Sequence, residues 1–183
     1  GSEMCIRDRK SGCAVYGVFW DGGKLHGLGD IDIRSMDVLN LFWEPGVQDI
    51  QASENFFSVE LTPNHRLLRD YPQLEGKLGR GGASQVSRYL YDDRVDTSDQ
   101  SLVVDWYYHT VTEGRQVLHY CKFVGETVLY ASENDPQYEK RGWYDHGQYP
   151  FVFDVLFPEE GTPCGYGYVD LSLIHISEPT RRS

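Results

Sequence analysis

The 183-residue sequence predicts an α+β fold dominated by antiparallel β-sheet. Three observations carry that expectation. Three strand-like runs, residues 102–112, 115–124 and 127–132, are separated only by Glu113-Gly114 and Gly125-Glu126. Two-residue gaps containing glycine are the sequence signal of tight hairpins, so about 102–132 reads as a three-stranded antiparallel meander. The run Gly29 to Arg34 (G-D-I-D-I-R) alternates apolar and charged residues with the period of a strand. No long amphipathic helical stretch occurs; only two short helical patterns, about 63–71 and 84–91, interrupt the β character.

Taken in order, Val15 to Trp20 (V-Y-G-V-F-W) is an aromatic, β-branched run stopped by Asp21-Gly22-Gly23, a strand ending in a turn. Gly29 to Arg34 places Ile31 and Ile33 on one face and Asp30, Asp32 and Arg34 on the other, predicting a half-buried strand that pairs with the first. Val38 to Trp43 is apolar apart from Asn40 and ends at Glu44-Pro45-Gly46, a turn signature. Phe56 to Leu61 is a further strand. Thr62-Pro63 predicts a helix start, with Thr62 as cap, Leu67, Leu68 and Tyr71 at helical spacing, and Pro72 as its end. Ser84 to Tyr91 predicts the second helix, and the acidic residues from Asp92 to Gln100 a surface loop. In the first strand of the meander Val104, Trp106 and Tyr108 share a face, and Asp105, Tyr107 and His109 share the other. Neither face is plainly polar, which predicts a sheet covered on both sides, by its own fold or by a neighbouring subunit. Tyr149 to Phe157 (Y-P-F-V-F-D-V-L-F) predicts a buried strand.

Charge and composition exclude several functional classes. The chain carries a net charge of -11. Its first nine residues are neutral and residues 171–183 carry +1 (Arg181 and Arg182 against Glu178), which leaves -12 on residues 10–170. With no Lys/Arg cluster, so acidic a surface repels phosphates, and sequence-specific nucleic-acid reading is not expected. No apolar run is long enough to span a bilayer, so no membrane partner is expected. The cysteines, Cys5, Cys13, Cys121 and Cys164, are scattered and form no CxxC, which points to a reducing compartment rather than a disulfide framework.

The search for chemistry returns no catalytic, cofactor or metal residues. Gly79-Arg80-Gly81-Gly82 lacks both the Walker lysine and dinucleotide spacing, and Gly165-Tyr166-Gly167 fares no better. Hairpin pairing would bring His109 and His119 close together, and with His146 and Asp145 they would sketch a metal site. The spacing lacks the short intervals that make such sites specific, so hydrogen-bonded structural histidines are expected. Glu44, Asp49, Asp105, Glu133 and Asp145 would supply a paired acid and base for a glycosidase, but each is also accounted for by turn chemistry or solvated charge. The loop from Ser132 to Gly147 is polar yet holds Tyr138, Trp143 and Tyr144, and loops with embedded aromatics make contacts. Trp106, Tyr108, Trp143 and Tyr144 are therefore the candidate core or subunit-contact residues.

Both ends are unusual. Gly1 to Arg9 (G-S-E-M-C-I-R-D-R) and Leu171 to Arg181 (L-S-L-I-H-I-S-E-P-T-R) resemble translations of one synthetic oligonucleotide, the transposon-end adapter of sequencing libraries, read in opposite directions. On that resemblance residues 1–9 and 171–183 are artefacts, and 10–170 is an internal fragment of a longer protein. A second resemblance covers the interior. The stretch W-D-G-G-K-L-H-G-L-G-D-I-D-I-R-S-M-D-V-L-N-L-F-W-E-P-G-V-Q-D-I (Trp20 to Ile50) and the stretch G-W-Y-D-H-G-Q-Y-P-F-V-F-D-V-L-F-P-E-E-G-T-P-C-G-Y-G-Y-V-D (Gly142 to Asp170) resemble portal proteins of tailed bacteriophages. The resemblance implies a non-enzymatic homo-oligomeric ring, typically of twelve subunits, at one capsid vertex. It implies assembly in the host cytoplasm and partners in terminase, capsid and tail-adaptor proteins, with double-stranded DNA passing through without sequence recognition. The fragment would come from the peripheral wing, with the channel-lining stem beyond Asp170. A glycan-active or glycan-binding β domain and another phage capsid or tail accessory protein are the alternative readings of the same composition.

Overall fold

Residues 13–21 (C-A-V-Y-G-V-F-W-D) are rich in the β-branched and aromatic side chains that suit a pleated surface. They form β1 (Cys13–Asp21) in the computed structural model, which describes residues 12–78 and 99–166. β1 is the centre of a three-stranded antiparallel sheet, with β2 (Asp30–Met36) on one edge and β8 (Phe151–Val155) on the other. Register places Trp20 opposite Ile31, and Gly17 between Arg34 and Phe151. A small ladder joins β9 (Phe157–Pro158) to β10 (Gly165–Tyr166). A 3-10 turn at Ile50–Ala52 is capped by the Asp49 carboxylate, which accepts from the Gln51 amide at 2.9 Å. These elements belong to a first compact unit, residues 12–38, 45–53 and 150–166.

The second unit, residues 39–44, 54–78 and 99–149, is built on a five-stranded antiparallel sheet. Its strands lie in chain order: β3 (Leu41–Trp43), β4 (Asn55–Pro63), β5 (Gln100–Thr112), β6 (Arg115–Val124) and β7 (Thr127–Ala131). One helix, α1 (Asn64–Asp70), follows β4 and buries Leu67 with Leu74, Val103 and Val124. Tyr71, one turn beyond Leu67, packs on the same cluster, while Leu68 faces solvent. The β-dominated α+β class is therefore what the chain adopts.

At the β5–β6 turn, Glu113 (φ 53°) and Gly114 (φ 77°) both lie in the left-handed region, as a type I′ turn requires. Glutamate is a poor residue for that conformation, and its ion pair to Lys140 (2.9 Å) is exposed on both sides. Replacing Glu113 with asparagine is expected to raise stability by about 0.5–1 kcal/mol, measured by urea denaturation.

Three sequence expectations need correction, and others fall outside the described residues. The apolar side of β2 is not the covered one: Ile31 is 56% and Ile33 65% exposed. The Asp32 side lies on the face where Phe19 packs edge-on against Phe151 (5.9 Å) and Arg34 sits over the Phe19 ring (5.4 Å). Thr62 does not cap a helix, because the ladder to β5 runs on to the Pro63–Gln100 pair and α1 begins at Asn64. The run Tyr149 to Phe157 is only partly buried: Tyr149 and Phe151 are covered, but Val152 is 54% exposed. The predicted helix at 84–91, the loop Gly79–Gly82 and the two terminal segments, 1–9 and 171–183, lie outside the described residues.

Candidate functional site

β7 pairs with β6 only from Cys121 onward, so the edge of β6 at Leu118–Tyr120 needs other partners for its backbone groups. The loop after β7 supplies them. The Trp143 amide donates to the Leu118 carbonyl at 2.7 Å, and the Tyr120 amide donates to Ser132 Oγ at 2.9 Å. Gly142 permits this approach: its φ is +85°, and a Cβ there would stand 2.8 Å from the Leu118 carbonyl oxygen.

Fastened in this way, Trp143 becomes the hub of an aromatic cluster. Its ring lies 5.0 Å from Tyr120, 5.4 Å from Tyr130, 4.8 Å from Tyr138 and 5.9 Å from Tyr144. Tyr107 extends the cluster through Tyr120 at 5.0 Å. Burial pushes the Tyr107, Tyr120 and Tyr144 phenols up. Tyr130 reaches about 12, mainly through burial and then through its hydrogen bond to Asp135. These phenols stay protonated at physiological pH and act as hydrogen-bond donors. The Tyr120 hydroxyl donates to Asp105 at 2.5 Å, and Lys122 pairs with the same carboxylate at 2.9 Å.

The other two aromatic candidates occupy the opposite face of the sheet, since Trp106 pairs with Cys121 and Tyr107 with Tyr120. Trp106 stacks between Phe57 (5.9 Å) and Tyr108 (4.2 Å), and its indole N–H donates to Asn55 Oδ1 at 3.0 Å. The ladder continues from Tyr108 to His119 at 5.8 Å. Trp106 with Tyr108, and Trp143 with Tyr144, are thus two separate pairs rather than one site.

The histidines do not converge. Register pairs His109 with Leu118 and His119 with Tyr108, so the two imidazoles face opposite sides. His109 Nε2 donates to the Gly147 carbonyl at 3.0 Å, while buried His119 meets Ser132 Oγ through Nδ1 at 2.8 Å. Among the described residues no group of three or more metal-ligating side chains gathers. The candidate carboxylates have local partners: Glu44 accepts from the Glu54 amide (3.0 Å), Asp145 pairs with Arg141 (3.1 Å) and Glu133 hydrogen-bonds Tyr108. No helix among the described residues is long and apolar enough to cross a membrane.

The first unit carries a surface that sequence reasoning assigned to the wrong side. Trp20 (66% exposed), Ile31, Ile33 and Val152 project from one face of the three-stranded sheet, where register sets Trp20 directly across from Ile31 and Ile33 across from Val18. Large neighbouring apolar side chains on one face are what interaction surfaces expose. The alternation of Ile31 and Ile33 is the signal that marks it. Elsewhere in the unit a cleft of about 380 Å³ has Phe151, Phe153, Val155 and Cys164 in its walls and Gln48 and Gln51 among its polar groups. No family model matches this chain, and no curated protein matches it significantly.

Proposed function

We propose that this chain is a structural subunit of a phage portal ring, a wing-region segment of the head–tail connector through which the genome is packaged and ejected. The observation that supports the reading is the exposed apolar sheet face of Trp20, Ile31, Ile33 and Val152, which suits a protein that completes its burial against other subunits. The two stretches of portal resemblance, residues 20–50 and 142–170, supply the direction of the reading. On it, β5, β6 and β7 act as one meander that holds the Trp143 loop rigid at the ring periphery. The acidic balance keeps passing DNA from sticking. Residues 1–9 and 171–183 are then adapter-encoded and take no part.

Sequencing the source DNA across both ends is expected to show the frame continuing beyond Asp170 into long helical segments, with a terminase gene upstream. Electron microscopy of the protein encoded by that frame is expected to show discrete rings, and the double substitution Trp20→Glu and Ile33→Glu to dissociate them. A frame that stops at Ser183, or a full-frame protein that sediments only as a monomer, overturns the reading.

A further inference from the structure

The five-stranded sheet ends at β7, and among the described residues no strand pairs with its outer edge. Gly125 and Glu126 form a two-residue hairpin loop closed by the Val124–Thr127 pair. The closing pair of such a hairpin is hydrogen-bonded, and antiparallel positions alternate. The next residue, Val128 opposite Phe123, therefore turns its N–H and C=O away from β6. The run T-V-L-Y-A carries neither charge nor proline, two devices with which sheet edges block further pairing. Beside this edge lies a groove of about 520 Å³, walled by residues 128–131 and by Asn134, Asp135 and Pro136 of the following loop. The surroundings have one sign of charge. Residues 123–139 hold Glu126, Glu133, Asp135 and Glu139 and no lysine or arginine. The cations next in sequence are taken: Lys122 pairs with Asp105 (2.9 Å), Lys140 with Glu113 (2.9 Å) and Arg141 with Asp145 (3.1 Å). The Asp135 carboxylate accepts from the Tyr130 hydroxyl (3.0 Å) and the Gln137 amide (3.0 Å), neutral donors that fix it at the groove without cancelling its charge.

We propose that β7 is a strand-addition site for an extended basic segment of another protein, which pairs with the outer edge at Val128 and lies in the groove with its cations against Glu126 and Asp135. Main-chain hydrogen bonds to the edge give the attachment, and the side chains on its two faces give the selectivity. Val128 lies across from Phe123 and Tyr130 across from Lys122, so the irregular register at this point sets Val128 and Tyr130 on opposite faces of the sheet. An added strand meets an apolar neighbour on one face and the Tyr130–Asp135 pair on the other. That arrangement selects a segment in which apolar and basic side chains alternate. A second copy of this chain fits the edge less well, because its β7 would bring Glu126 and Asp135 against the same acidic groups, in a chain of net charge -11. β3, at the other end of the sheet, has three residues and offers a shorter edge. The site lies within the second unit and does not depend on the portal reading.

The test uses the whole chain and a fluorescein-labelled heptapeptide alternating lysine and valine, followed by fluorescence anisotropy. Saturable binding is expected, weakening as salt is raised. Val128→Pro removes the outward N–H at a position where an edge strand tolerates proline. It is expected to weaken binding at least about tenfold in a protein that keeps its circular dichroism spectrum. The same peptide N-methylated at every amide keeps its charges but cannot donate to the edge, and is expected to bind the wild-type chain at least about tenfold more weakly. Glu126→Gln combined with Asp135→Asn is expected to weaken binding about three- to fivefold and to flatten its salt dependence. Absence of saturable binding, or equal binding by the N-methylated peptide or by a glutamate–valine counterpart, overturns the proposal. Self-association of the chain that Val128→Pro suppresses also overturns it, since the edge then belongs to a second copy.

Discussion

Trp143→Ala is expected to destabilise the second unit by about 3 kcal/mol, the lower end of the range for removing a large aromatic side chain from a packed site. The lower end applies because the indole is half-buried. Its loss strips ring contacts from Tyr120, Tyr130, Tyr138 and Tyr144 together, and aromatic pairs contribute beyond the area they bury. It leaves the backbone bond from residue 143 to the Leu118 carbonyl in place, which separates ring packing from loop anchoring. Trp143→Phe keeps much of the packing and is expected to cost about 1 kcal/mol, in line with a conservative core change. Urea denaturation followed by far-ultraviolet circular dichroism reads both, with no dependence on the indole as fluorophore. A cost below about 0.5 kcal/mol for the alanine variant, the size of an ordinary surface change, would mean that the ring is not what holds the loop.

Much of the β architecture was legible because its signals are local. The glycine-containing gaps at 113–114 and 125–126 mark chain reversals through backbone geometry that neighbouring residues alone determine. The expectation that hairpin pairing brings His109 and His119 together fails on register. A two-residue turn sets Thr112 opposite Arg115, which forces His109 opposite Leu118 and puts His119 out of phase by one residue. Period-two alternation in β2 told that its faces differ, but not which one is covered. That was decided by Phe19 packing on Phe151 from β8, a partner more than a hundred residues away that no local pattern reveals. Thr62-Pro63 carried a sound cap signal that nine paired positions between β4 and β5 overrode. The anchoring of Trp143 to the edge of β6 likewise depends on long-range register.

Ser132→Ala is expected to cost about 2–4 kcal/mol although it removes a single oxygen, because that atom has two buried clients. Ser132 is 0% exposed and His119 1%. Ser132 Oγ accepts the Tyr120 amide, which leaves its own proton free to point at His119 Nδ1 when the imidazole is neutral. Alanine leaves a backbone N–H and a ring nitrogen without partners in a site closed to water, and each orphan costs about 1–3 kcal/mol. The same enclosure makes stability depend on pH. Burial lowers the His119 pKa from its ordinary 6.5, and the Glu133 carboxylate opposes that shift only in part. Between the lowered folded value and the unfolded value near 6.5, the unfolded chain binds more protons than the folded one, so stability must fall as pH falls through that window. Above it the contribution of His119 is fully present. Unfolding free energies measured from pH 8 downward are therefore expected to decline once pH passes below 6.5, and His119→Gln to remove that early decline while leaving the later loss from carboxylate protonation. An identical early slope in the His119→Gln variant would place the titrating group elsewhere, and the Ser132–His119 pair would then be a packing contact without a protonation role.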